Sequence, residues 1–219
     1  MMNTTKELSY NTSVGEGGPS ELSKKGIHLN KKNNEYYVKT RENCFIKCCE
    51  RIIKYNIKSG LDLACSNGHS VFIANKKGID FKGCDIEFDE KYNKIFIDNF
   101  NEPKLFKLEF NELINHNVNY DIISSFNITH IFDYISMEYL LNVISNKSNY
   151  CYIHINPNII DRIKNKFKNY TDFITIFKDE INAGHGVNTW YYIFIKFKTK
   201  INIPKYKKFI RNKQTITLK

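Results

Sequence analysis

The chain reads as an α/β protein: a doubly wound sheet, with helices on both faces and an antiparallel edge. Two observations carry that reading. Short apolar runs alternate with stretches of helical periodicity through five β-α steps between Gly60 and Phe167. Two strand-like runs, Phe173–Phe177 and Trp190–Phe197, then follow with no helical pattern between them, only the loop around Asn182-Ala183-Gly184-His185-Gly186. Neighbouring strands joined by a glycine-containing loop make a hairpin.

Each element has its own signal. From about Tyr36, apolar positions Phe45, Cys48, Cys49, Ile52, Ile53 and Tyr55 recur at three-to-four spacing, predicting a leading helix that ends before Lys58-Ser59-Gly60. The run Gly60 to Cys65 suits a buried first strand. Ser66-Asn67-Gly68 turns the chain, and Ser70 to Lys77 form a short helix stopped by Gly78. Ile79–Ile86 is the second strand and Phe88–Phe100 a helix with Tyr92, Ile95, Phe96 and Asn99 along one side. Leu105–Phe110 and the very apolar Tyr120–Phe126 are the third and fourth strands. Ser136–Ser145 is helical, Tyr150–Ile155 is the fifth strand, and Pro157 opens a helix carrying Ile159, Ile160, Ile163 and Phe167 on one face.

The organisation expected is a flexible polar N-terminal arm over residues 1–34, one folded domain over 35–198, and a basic tail over 199–219. No apolar run approaches the roughly 18 residues of a membrane span, and the first twenty residues lack the apolar centre of a signal peptide. A cytoplasmic protein without membrane contact is the expectation. The six cysteines (Cys44, Cys48, Cys49, Cys65, Cys84 and Cys151) form no C-x-x-C pair and have no histidine cluster at zinc spacing, so reduced thiols and no metal are expected.

Net charge is +10, which suits a nucleic-acid partner through counterion release. The basic residues are 29 Lys against 4 Arg, with Asn and Ile abundant and Ala occurring three times. That bias is typical of AT-rich coding, and guanidinium forks for phosphate or guanine are nearly missing. Nucleic acid therefore stays possible, and a small-molecule partner is favoured. Oligomeric state is not legible.

Ligands of doubly wound sheets bind beyond the carboxyl ends of the strands, at the topological switch point. The first such loop reads LDLACSNGHS: an acid within the strand, small residues at Ala64 and Ser66, then Gly68. Small residues admit close backbone approach, and the next helix offers unpaired N–H groups at its start. The second strand closes on Gly83-Cys84-Asp85-Ile86, placing an acid where a ribose diol can be held.

At these residues the chain resembles the class I S-adenosylmethionine-dependent methyltransferases. Their first motif, an acid followed by GxGxG, is matched by Asp62-Leu63-Ala64-Cys65-Ser66-Asn67-Gly68, with Ala64 and Ser66 in place of two glycines. The stretch Tyr120-Asp121-Ile122-Ile123-Ser124-Ser125-Phe126-Asn127-Ile128-Thr129-His130-Ile131 is similar to the family's fourth-strand pattern. The resemblance spans roughly residues 36–198. It implies a Rossmann-like sheet of seven strands, order 3-2-1-4-5-7-6 with an antiparallel last strand, and S-adenosyl-L-methionine as cofactor. It places Asp62, Ala64, Cys65, Ser66, Gly68, Asp85, Ile86, Glu109, Phe110, Phe126 and Asn127 around that cofactor. Asp85 would hold the ribose, Ile86 would flank the adenine, and Glu109-Phe110 falls where the family has its adenine-binding acid.

The expected activity is direct displacement of a methyl group onto an O or N nucleophile. Small molecules are the favoured acceptors, with RNA or DNA the alternative. A protein that binds the cofactor without transferring from it, or that degrades it, is a third possibility. His130 is the candidate general base, its ordinary pKa near 6.5 suiting proton removal at neutral pH; packing beside the sheet is the competing role. A nicotinamide-binding protein is disfavoured because His69 stands where its third glycine belongs and because of the closing hairpin. Asn156-Pro157-Asn158 is similar to the NPPY motif of adenine methyltransferases but follows the fifth strand and lacks the aromatic residue. His185 and Trp190 could touch substrate, although a lone Trp opening an apolar strand is more often core; Tyr36 and Tyr37 could cover the pocket or simply pack.

Overall fold

The computed structural model describes residues 43–66, 68–86, 88, 90–110, 112–117, 119–126, 129, 132–182, 187–202, 208–211 and 214–217. The expected N-terminal arm lies outside them, as do Tyr36, Tyr37, Asn127, His130 and His185.

A helix over residues 43–53 (α1) leads into β1 (Ser59–Leu63), α2 (His69–Lys76), β2 (Asp80–Asp85), α3 (Lys91–Phe100) and β3 (Leu105–Lys107). A single 3₁₀ turn (Leu113–Asn115) precedes β4 (Tyr120–Ser125), α4 (Tyr134–Ser145) and β5 (Ser148–His154). A second such turn (Pro157–Ile159) runs into α5 (Ile160–Phe167), and the long strands β6 (Thr171–Asn182) and β7 (Val187–Phe197) close the sheet. The strand order is β3-β2-β1-β4-β5-β7-β6, as the resemblance implied. Strands β1 to β5 pair in parallel, and β7 runs antiparallel between β5 and β6.

Alternation in the strands sends side chains to two cores. Leu61, Leu63, Ile123, Cys151 and Ile153 meet Leu140, Leu141 and Ile144 of α4 and Ile163 and Phe167 of α5 on one face. On the other, Ile122, Tyr152 and Phe194 meet Phe45, Cys48 and Ile52 of α1, Val71 and Phe72 of α2, and Phe96 of α3. Both faces are covered, which is why the parallel strands read as continuous apolar runs.

Several bounds differ from expectation for local reasons. The third strand stops at Lys107 rather than Phe110. The Leu108 N–H still donates to the Asp85 carbonyl at 3.1 Å, but the Glu109 N–H turns to the Glu112 carboxylate at 2.9 Å. Phe110 then packs edge-on against Phe132 instead of pairing. Helix α4 begins two residues early, because Asp133 accepts the Ser136 N–H at 2.7 Å as an N-cap. Of the apolar stripe expected on α1, Ile53 and Tyr55 are exposed, Tyr55 lying in the turn after the helix. The hairpin strands are longer than the runs that announced them. Within the basic tail, β8 (Lys208–Arg211) and β9 (Gln214–Thr217) form a small antiparallel ribbon of their own. All six cysteines are buried and none is in a disulfide.

Candidate functional site

Because β1 to β5 are parallel, their carboxyl ends share one edge of the sheet, and antiparallel β7 begins at that same edge. The switch point falls between β1 and β4: the chain moves outward to β2 and β3 on one side, and to β5 on the other.

The loop after β1 is built from left-handed residues at alternate positions. Ala64, Ser66 and Gly68 have φ of 53°, 55° and 79°. These are the three places where the resembling motif carries glycine, so the backbone keeps a glycine conformation even where the residue is not glycine. Gly68 has no substitute: a Cβ there would sit 2.6 Å from Leu105 Cδ2 and 3.0 Å from Phe96 Cζ, besides its positive φ. Its carbonyl accepts the Phe72 N–H at 2.8 Å and so starts α2.

Two carboxylates hold this loop. Asp85 accepts the Ser66 N–H through Oδ2 at 2.7 Å and the Ile86 N–H through Oδ1 at 2.8 Å. Asp62 is wholly buried; its Oδ1 accepts the Ser124 hydroxyl at 2.9 Å and its Oδ2 accepts the Ser70 hydroxyl. These bonds join β1 to β4 and to the first turn of α2. Ser70 and Ser124 were not singled out from sequence.

Other expected residues divide. Ile86 is 61% exposed, an apolar side chain left in the open beside Asp85. Glu109 is exposed at the end of β3, and Phe110 is half-buried. Cys65 is buried, and burial and the nearby Asp62 push the pKa of its thiol up. Phe126, expected beside the cofactor pocket or in the core, is 3% exposed and packs in an aromatic cluster, 4.9 Å from Phe45 and 5.8 Å from Tyr152 between ring centroids. Asn127 and His130 lie outside the described residues.

Farther along the same edge lies a cavity of about 350 Å³ at the end of β5, lined by His154, Ile155, Asn156, Pro157, Thr189, Trp190 and Tyr191. His154 was missed from sequence, although a histidine closing an apolar strand at the ligand edge is a usable signal. Its ring stacks on Trp190 with centroids 4.7 Å apart and 24° between planes. Asn156 caps the turn that follows, its side chain accepting the Asn158 N–H at 3.0 Å, which gives Asn156-Pro157-Asn158 a structural role. Among the described residues, no group of three His, Cys, Asp or Glu side chains is placed to hold a metal ion. None of their helices is long and apolar enough to cross a membrane.

No protein-family profile matches the chain, and no curated protein matches it in sequence. Solved structures do match in fold. Magnesium protoporphyrin IX methyltransferase (ChlM) from Synechocystis PCC 6803, with bound SAM, superposes with a TM-score of 0.60 at 10% identity, over 89% of this chain and 92% of that one. TehB from Haemophilus influenzae gives 0.53 at 14% identity, over 71% and 62%. A candidate RNA methyltransferase from Pyrococcus horikoshii gives 0.52 at 15% identity, over 73% and 85%. With its strand order and antiparallel β7, the chain has the fold of the class I S-adenosylmethionine-dependent methyltransferases.

Proposed function

We propose that this chain binds S-adenosyl-L-methionine at the edge formed by residues 62–68, Asp85 and Ile86, and transfers its methyl group to an O or N nucleophile of a small molecule. The observation that carries the reading is the Asp85 clamp on a left-handed loop of small residues at the switch point. Its donor set fits a nucleoside. A carboxylate at the end of β2 is the group suited to accept from both hydroxyls of a ribose diol. Exposed Ile86 offers an apolar flank for a purine ring. Ala64, Ser66 and Gly68 keep side-chain bulk away from the cofactor's path, and Glu109 and Phe110 follow β3 at the same edge.

When bound, the cofactor supplies a sulfonium-activated methyl carbon. The chain's own task is alignment, exclusion of water and, for a protonated acceptor, removal of a proton. The likeness to methyltransferases with very different acceptors leaves that choice to the acceptor site itself. Net charge +10 favours nucleic acid as the second reading.

Isothermal calorimetry with S-adenosylmethionine, S-adenosylhomocysteine and NAD is the test. Binding of the first two at micromolar affinity, with none for NAD, is expected. No binding of either sulfur compound, or tighter binding of NAD, removes the proposal.

A further inference from the structure

We infer that the outer edge of β6 is a self-association surface, on which β6 of a second copy pairs antiparallel about a two-fold axis at Thr175. The pairing is independent of what the ligand edge binds.

Strand β6 ends the sheet, and among the described residues no strand pairs with its outer side. It is long, at 12 residues, and its middle, Phe173-Ile174-Thr175-Ile176-Phe177, is half-buried and uncharged. An edge strand presents unpaired N–H and C=O groups, which proteins blunt with proline, charge or a bulge. Here such devices stand outside the middle run: the bulge between Thr171 and Phe173 at one end, Lys178 and Glu180 at the other. Five β-branched or aromatic residues in a row suit further pairing.

The sequence of the edge chooses its occupant. Phe173 to Phe177 reads the same in both directions, with Asp172 before it and Lys178 after it. Antiparallel pairing reverses one strand against the other. About Thr175 it therefore sets Phe173 opposite Phe177 of the second copy, Ile174 opposite Ile176, and Thr175 opposite itself, and it brings Asp172 to Lys178. A two-fold axis perpendicular to the sheet keeps each face beside its like. Phe173 and Phe177 lie on the α1 side and Ile174 and Ile176 on the α4 and α5 side, so aromatic meets aromatic and isoleucine meets isoleucine. Such pairs, with a Thr–Thr pair and opposite charges, stabilise a sheet across strands. Asp172 meets Lys196 through Oδ2 at 2.9 Å, and its two-oxygen carboxylate can accept from both ammonium groups. A slip of two residues, which keeps the faces, would set Asp172 opposite Ile176 or Lys178 opposite Ile174. Tyr55, 41% exposed and 5.3 Å from Phe173 between ring centroids, widens the apolar contact on the α1 side. The isologous pair closes on itself as a dimer. The strand pair is small and each chain carries +10, so a micromolar dissociation constant is expected.

Sedimentation velocity on the full chain across the micromolar range should show a reversible monomer–dimer equilibrium. Thr175→Lys and Thr175→Asp each set like charges face to face on the axis, and each should associate at least about tenfold more weakly than wild type. Circular dichroism checks their folds. Mixed in equal amounts, the two variants should regain dimer, because Lys then faces Asp. Thr175→Cys, close in size to Thr, gives a separate readout: a short bis-maleimide should link it to its own copy. Glu180→Cys, far from its own copy in this register, should stay unlinked, and wild type, with its cysteines buried, is the blank. A wild-type monomer throughout the range overturns the inference, whatever then covers β6. So do undiminished dimers in both charged variants, a mixture of the two that stays monomeric, or linking at Glu180→Cys as fast as at Thr175→Cys.

Discussion

Asp85 Oδ2 accepts the Ser66 backbone N–H at 2.7 Å, so the end of β2 holds the loop that follows β1. One side chain thereby serves the loop's shape and, in the function proposed above, the ribose diol. The two duties can be separated by substitution. Asn at position 85 keeps the size but presents an NH2 that cannot accept, so only one of the two backbone amides of Ser66 and Ile86 stays bonded. Ala loses both acceptors. S-adenosylhomocysteine affinity should fall about tenfold to a hundredfold in Asp85→Ala and less in Asp85→Asn, given roughly 1.5–3 kcal/mol for each hydrogen bond to a charged group. Calorimetry reads this directly, and unchanged affinity in Asp85→Ala would take Asp85 out of the cofactor site.

The same loop carries a stability prediction. Ala64 and Ser66 hold φ of 53° and 55°, where a Cβ costs about 1–2 kcal/mol relative to glycine. Glycine also frees the unfolded chain, which offsets roughly 0.4–1 kcal/mol of that gain. Ala64→Gly should therefore stabilise the fold by about 0.5–1 kcal/mol, seen as a higher urea midpoint at an unchanged slope. Ala64→Val, adding a branched Cβ in the same conformation, should lower the midpoint. A lower midpoint in Ala64→Gly would mean that the Ala64 methyl packs well enough to outweigh its strain.

These positions also mark how far the sequence could be read. Strand alternation and the terminal hairpin were legible because burial on both sheet faces writes continuous apolar runs, and the switch-point loop because close backbone approach restricts residue size. Asp62 and Asp85 stood out as acids in apolar strands. Their partners did not: Ser70 and Ser124 lie 8 and 62 residues from Asp62, and nothing local says that a hydroxyl will point at a carboxylate. Whether Phe126 faced rim or core was not legible, because at a strand end a shift of one residue inverts the face. His154 was overlooked since its value comes from Trp190, a neighbour only after β7 pairs with β5.

Arg51 on α1 and Asp179 on β6 form a fork, with Nη1 to Oδ2 at 2.8 Å and Nη2 to Oδ1 at 2.9 Å. Asp179 is 3% exposed, Arg51 also donates to the Tyr152 hydroxyl, and its guanidinium lies 4.0 Å over the Phe177 ring. Lys47 approaches Asp179 only to 3.5 Å. Arg51→Met would leave a buried carboxylate short of partners, at a cost of about 3 kcal/mol. Adding Asp179→Leu removes that charge, and the double variant should regain most of the loss. Urea unfolding of the two singles and the double tests this: additive losses would show that the pair is not coupled.

His116 supplies a pH dependence whose sign follows from its surroundings. It stacks on Phe106 with centroids 5.5 Å apart and on Tyr120 at 6.3 Å, and both burial and the nearby Lys147 ammonium hold its pKa below the ordinary 6.5. The unfolded chain therefore binds the His116 proton at a higher pH than the folded chain does. Between the two pKa values the unfolded state carries more protons, so stability rises with pH across that window. The contribution is complete above about pH 6.5 and is lost as pH falls toward the depressed folded value. Wild type should accordingly show a lower urea midpoint at pH 5.5 than at pH 7.5. His116→Phe keeps an aromatic ring in the stack without the titrating nitrogen, so its midpoint should change less between the same two pH values. An equal change in both proteins would assign the acid sensitivity to groups other than His116.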